Sequence, residues 1–174
     1  MSTYQWKGAG YGLPGFGRER LYKKIDVPAL IAAGAYSGLA LTTAPNTGVA
    51  LASTGFAADD ILEIFWVPKG TMVEKCGCYT ITGEGATCTI NAGVTSATET
   101  EDATDIDGWG IFSIETAGAT DATTDGTAAD AFGNDDVPGG ELYITNGSID
   151  IEFNHATDAA IFVFWADVAW IDIV

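Results

Sequence analysis

Basic residues are scarce in this chain: seven Lys and Arg stand against 24 Asp and Glu, a formal net charge of −17. A body that acidic repels nucleic-acid phosphates and anionic lipid surfaces, so neither is an expected partner. Histidine is scarcer still. His155 is the only one, and without an evident nucleophile nearby in sequence it reads as structural; zinc-like spacing would also need a second ligand pair. Cysteine is limited to Cys76, Cys78 and Cys88. The number is odd, and a Cys-x-Cys pair on a strand puts both side chains on one face, so small buried thiols are expected in place of a disulfide framework. Long apolar runs are missing too. No stretch reaches the ~18 apolar residues of a membrane span, and Lys7 is followed by GAGYGLPGFGRERLYKK, which lacks the apolar core of a secretory leader. No glycine-rich loop between a strand and a helix ends in Lys-Ser or Lys-Thr, so nucleotide binding has no support. The expectation is a soluble, non-enzymatic protein without a cofactor or metal, made in the cytoplasm.

What basic charge there is lies at one end. Lys7, Arg18, Arg20, Lys23 and Lys24 fall in the first 24 residues against one acid, Glu19, giving that segment +4 (5 − 1) and the remaining 150 residues −21 (2 − 23). The same segment alternates Gly8, Gly10, Gly12, Gly15 and Gly17 with Tyr4, Trp6, Tyr11, Leu13, Phe16 and Tyr22. Glycines keep such a backbone too mobile to fold alone, while the rings gain much from burial. Residues 1–25 are therefore expected to form an extended arm that docks on an acidic protein surface through Tyr4, Trp6, Tyr11, Phe16, Arg18, Arg20, Lys23 and Lys24. Residues 26–174 are expected to form one domain, a length sufficient for an ordinary core.

Within that domain the pattern is β. Asp26 to Ile31 reads either as an edge strand or as a first helical turn capped by Asp26. Ile61 to Val67 is rich in β-branched and aromatic residues and stops at a Pro68-Lys69-Gly70 turn. Thr71 to Thr82 continues as a long strand with Met72, Cys76, Cys78 and Thr80 on one face and Val73, Lys75, Tyr79 and Ile81 on the other. Ala86 to Ile90 is expected to return as its hairpin partner across Gly83-Glu84-Gly85. Trp109 to Glu115, Glu141 to Thr145, Ser148 to Phe153 and Ala160 to Val174 complete about eight strands, the middle two joined by an Asn146-Gly147 hairpin turn. Val94 to Asp107 and Ala117 to Gly140, made largely of Thr, Ala, Asp and Gly, read as long surface loops. The fold class is all-β, a jelly-roll or Greek-key β-sandwich with an extended N-terminal arm.

Chemical motifs are few. Asp102, Asp105, Asp107 and Gly108 resemble a calcium loop, but Ala103 stands where its first acid belongs and Ile114 at its closing position. Asp121, Asp125, Asp130, Asp135 and Asp136 suit solvated loops. A hydrolytic carboxylate pair has no basic or metal partner in the body to support it. The last strand, Ile161 to Val174, is apolar on both faces and must be covered on both. Subunit contacts or long loops could cover the second face, and Phe164, Trp165 and Trp170 are the candidate oligomer-interface residues.

The apolar strand that runs into Pro68-Lys69-Gly70-Thr71 and out through Val73 is followed by Thr/Gly-rich strands, acidic loops and a closing strand around Trp165-Ala166-Asp167-Val168. In style, residues 60–174 resemble capsid decoration or cement proteins of tailed bacteriophages, which have a jelly-roll body. The resemblance implies a homotrimer on the outside of a mature head, in the virion, with the major capsid protein as partner and a terminal arm reaching across the capsid surface. A rival from another class is a carbohydrate- or receptor-binding sandwich such as a head fibre or adhesin, using Trp109 or Tyr143 as a stacking platform. A tail or neck component with the same body is a third.

Overall fold

Burial alternates residue by residue along β10 (Ile161–Trp170), which buries Phe162, Phe164, Ala166 and Val168 and leaves Ile161, Val163, Trp165 and Asp167 on the opposite face. That period of two marks a strand with one face in a core. In the computed structural model, which describes residues 17–33, 41–42, 54–85, 87–94, 99, 105–120 and 141–171, β10 is the centre of one of two antiparallel sheets. The other elements, in chain order, are β1 (Arg18–Asp26), α1 (Val27–Ala33), β2 (Leu41–Thr42), β3 (Asp60–Val67), β4 (Thr71–Thr82), β5 (Thr89–Val94), β6 (Asp105–Ser113), β7 (Gly118–Thr120), β8 (Glu141–Leu142) and β9 (Gly147–Phe153).

Sheet A runs β1-β10-β4-β7, with β8 on the same edge of β4 as β7 but farther along; sheet B runs β2-β3-β9-β5-β6. With β7 and β8 taken as one interrupted strand and β2 set aside, this is the strand order of a jelly roll, and the expected β-sandwich is the fold. Apart from the β2–β3 and β5–β6 pairs within sheet B and the interrupted β7–β8 strand, consecutive strands lie in opposite sheets. β3 and β4 do so across Pro68-Lys69-Gly70, where the positive φ of Gly70 (87°) and the Thr71 N–H donating to the Pro68 carbonyl (3.2 Å) close a tight corner.

The two hairpins expected from sequence are therefore corrected. β5 does not return along β4; it pairs with β6 and β9, and Gly83-Glu84-Gly85 carries the chain between sheets. Asn146-Gly147 likewise joins β8 in sheet A to β9 in sheet B. Turn chemistry makes a chain reverse direction, but the inward apolar faces decide which strand it meets. The face assignment in β4 also changes. A register shift opposite Asp167 and Val168 turns Val73 inward with Cys76, Cys78 and Thr80, leaving Met72 half-buried.

The core lies between the sheets. Phe153 stacks on Phe56 (4.1 Å between ring centroids) and meets Phe162 edge-on, while Phe112 meets Phe164 edge-on (6.0 Å). The three cysteines are buried thiols outside any disulfide, as expected. Glu84 closes the crossing from β9 to β10: its carboxylate accepts the backbone N–H groups of Asp158, Ala159 and Ala160 at 3.0, 3.0 and 2.8 Å. Asp26 resolves the sequence ambiguity by serving both elements, ending β1 and accepting the Ala29 N–H (3.2 Å) as the cap of α1.

Residues 18–25 differ from the expected arm. They form the edge strand of sheet A, in continuous register with β10 from Arg18↔Ala169 to Asp26↔Ile161. The physical reason is period two: Leu21 packs against the core and Ile25 is buried, so this stretch has an apolar face to bury even though its other face is charged. Tyr4, Trp6, Tyr11 and Phe16 lie outside the described residues.

Candidate functional site: the outer face of sheet A

Three cross-strand rows build this face. Register places Arg20 opposite Asp167 and Asp167 opposite Lys75; Tyr22 opposite Trp165 and Trp165 opposite Gly77; Lys24 opposite Val163 and Val163 opposite Tyr79. Arg20 grips Asp167 with two bonds, Nε to Oδ1 at 2.6 Å and Nη2 to Oδ2 at 2.7 Å, and its guanidinium lies 4.1 Å from the centroid of the Trp165 ring. A planar, bidentate cation stacked on an indole is a geometry that lysine does not reproduce. The bonds from Arg20, aided by its charge and that of Lys75, hold the Asp167 carboxyl below its ordinary value against a smaller opposing effect of burial.

Gly77 explains how Trp165 lies against the sheet. A Cβ at Gly77 would overlap the indole ring, so only glycine leaves the space that the ring occupies across β4. The ring is thus held between Gly77 beneath and Arg20 above. Around it Tyr22 is 73% exposed and Tyr79 50% exposed, with Ile81 also exposed beyond them. Arg18 pairs with Glu74 (2.8 Å) and Lys24 with Asp26 (2.9 Å). On a strongly acidic chain, this face carries cations and acids in near balance around exposed rings.

Of the residues expected at a partner or subunit surface, Arg18, Arg20, Lys24 and Trp165 come together here. Lys23 is on β1 but half-buried. Phe164 is corrected: it is fully buried within this chain's own core, where it meets Phe112, and is not at a subunit contact. Trp170 is partly buried against the core, beside Gly17. The platforms expected for a carbohydrate ligand are corrected as well. Trp109 and Tyr143 are buried and pack edge-on against each other; the indole N–H of Trp109 donates to Glu141, and the Tyr143 hydroxyl donates to the Ser148 carbonyl (2.6 Å). Sequence reasoning did not single out Asp167, Lys75, Gly77 or Tyr79 for this role. The available signal was a glycine in mid-strand between Cys76 and Cys78, since such a glycine marks a close approach by another group.

Sheet B has a different outer face. Glu63 lies opposite Asp150, and Glu99 accepts the Ser148 N–H (3.0 Å). Burial, and then the charge of Glu99, raises the Glu63 carboxyl above its ordinary value; burial raises Glu99 against the opposing Ser148 bond. Among the described residues no group of three or more His, Cys, Asp or Glu is placed to hold a metal ion. Carboxyls raised by folding bind protons more tightly in the native state. Their contribution to stability is complete below the unfolded value of about 4.5 and is lost as pH rises through the higher folded value. Asp26 and Asp167 are lowered, so their contribution is present above about 3.8 and is lost as pH falls further. The melting temperature is therefore expected to rise as pH falls towards about 4.5 and to drop as pH falls below about 3.8. Glu63→Gln should flatten the first limb in a thermal scan across pH, and a slope equal to the parent's would reject this account.

No protein-family model matches the chain, and neither does any curated protein or solved structure. Its class is that of a jelly-roll β-sandwich with one aromatic, charge-balanced sheet face on an acidic body.

Proposed function

We propose that this chain is a non-enzymatic structural protein that decorates an assembled protein lattice, docking through the outer face of sheet A. The lattice favoured is the exterior of a tailed-bacteriophage head, with the major capsid protein as partner and a homotrimer as the docking unit. One observation carries the docking reading: Tyr22, Trp165 and Tyr79, with Arg20 stacked on the central ring, lie together on a sheet face that no other described element covers. Tyr, Trp and Arg are the residue types in which interface energy concentrates, and a core depleted in net charge is typical of a protein contact. Acidic surface elsewhere on the body disfavours nucleic acid and lipid as the occupant. Many copies on a repeating lattice would gain further from multivalency.

Tyr79→Ser tests the reading. The ring is half-exposed and outside the core, so the melting temperature should hold while occupancy on purified heads falls by about tenfold or more at sub-saturating protein, the effect of losing an interface anchor. Parent-like occupancy at matched concentration would remove the outer face from the contact.

A further inference from the structure

The other exposed feature of sheet A is the backbone edge of β1. Two bonds fix which positions face it. The Trp170 N–H donates to the Gly17 carbonyl (3.2 Å) and the Val27 N–H to the Ala160 carbonyl (3.1 Å), at opposite ends of one unshifted register. In an antiparallel ladder, hydrogen-bonded and non-bonded pairs alternate. The odd-numbered positions from Gly17 to Val27 therefore turn their backbone groups to β10. Arg18, Arg20, Tyr22 and Lys24 turn their N–H and C=O groups the other way, to an edge that no described strand occupies.

Proteins blunt such edges with short strands, bulges, proline or charge. β1 uses only the last. It has nine residues, pairs with β10 without a register shift and contains no proline. Its charges, Arg18, Arg20, Lys23 and Lys24 against Glu19 and Asp26, leave it +2 (4 − 2) within a chain of −17. Two copies of β1 paired antiparallel about Tyr22 would set Arg20 against Lys24 twice and Arg18 against Asp26 twice on the same face, so the repulsive and attractive pairs offset and charge gives self-pairing no net gain. An acidic strand meets the opposite situation. The Arg18–Glu74 and Lys24–Asp26 pairs are exposed, and surface pairs of that kind are worth little, so they can exchange for carboxylates on an incoming chain.

We propose that the free edge of β1 accepts an extended acidic segment of a partner protein as an added strand of sheet A. Main-chain bonds to Arg18, Arg20, Tyr22 and Lys24 supply the affinity. Carboxylates at alternate positions, facing Arg18 and Lys24 on the outer face, supply the selectivity. Charge on the edge thus favours an acidic chain over a second copy of β1. The inference stands without the lattice reading, because it rests on the edge and not on the Trp165–Tyr79 rows.

The probe is a synthetic ten-residue peptide of alternating Glu and Val, followed by amide hydrogen exchange on the isotope-labelled full chain. Saturating peptide is expected to slow exchange at Arg18, Arg20, Tyr22 and Lys24 by about tenfold or more, with affinity falling as salt rises. A matched Lys/Val peptide should give no protection. Tyr22→Pro removes an N–H that faces the edge and none that faces β10, so it should abolish binding while the protein still folds. A second variant, Arg18→Glu with Lys24→Glu, keeps the edge and should shift preference to the Lys/Val peptide. Unprotected amides at saturation, equal binding of both peptides, a preference unmoved by charge reversal, or protection arising from self-association would each overturn the proposal. Tyr79→Ser should leave peptide binding intact, so failure of the edge and failure of the lattice reading are separable.

Discussion

Phe164→Ala is expected to lower the unfolding free energy by about 3–5 kcal/mol, the cost of truncating a fully buried aromatic ring together with the cavity left behind. The ring sits at the middle of β10, half-way along the central strand of sheet A, with Phe112 of sheet B meeting it edge-on and Phe65 6.5 Å away. Neither neighbour can fill the space without leaving its own packing. Denaturant titration should show the midpoint falling with little change in slope. For a domain of this size the melting temperature should drop by on the order of 10 °C or more. Mass in solution under native conditions should not change, because the residue lies within one chain. A variant with parent-like stability and an altered mass would return Phe164 to a subunit contact.

Gly55→Ala is the second large effect. Gly55 has φ of 83°, in the left-handed region, and an added Cβ would overlap the Thr157 carbonyl oxygen and come within 2.9 Å of the Asp158 Cα. Both obstacles are backbone, so no rotamer relieves them. The adjacent bridge, in which Phe56 and Thr157 exchange two bonds of 2.9 Å, seats Phe56 on Phe153. Strain and the displaced bridge together should cost about 2–4 kcal/mol. Equilibrium unfolding checks it. An alanine variant within about 0.5 kcal/mol of the parent, the range of an ordinary surface change, would mean that this corner is not the rigid seat described.

The fold was legible where side chains alternate and illegible where partners are chosen. Ile61 to Val67 and Thr71 to Thr82 read as strands because β-branched and aromatic residues recur with period two, and they match β3 and β4 closely. Which strand lies beside which was misread at Gly83-Glu84-Gly85 and at Asn146-Gly147, since a reversal between strands in opposite sheets carries the same turn residues as a hairpin. Charge concealed β1. Four cations in RERLYKKID suggested a tail, yet Leu21 and Ile25 at even spacing were the signal that the segment has a face to bury. The outer face was half legible: Arg18, Arg20 and Lys24 were singled out, but Asp167 and Gly77 acquire their roles only from register, which no local pattern encodes.

The strand order has a consequence in time. Outside the β2–β3 and β5–β6 pairs, the ladders join strands distant in sequence; Arg20 finds Asp167 147 positions away, and β10 must insert between β1 and β4 before sheet A exists at all. A chain leaving the ribosome therefore carries β1, β3 and β4 without the strand that unites two of them. Loop closure of that length precedes the contacts that reward it, which makes folding slow, on the scale of milliseconds to seconds for β-topologies of this kind. During that interval exposed strand edges are open to the wrong partner. The acidic charge that dominates the chain would then serve the nascent chain as well as the folded one, holding unfinished copies apart until β10 arrives.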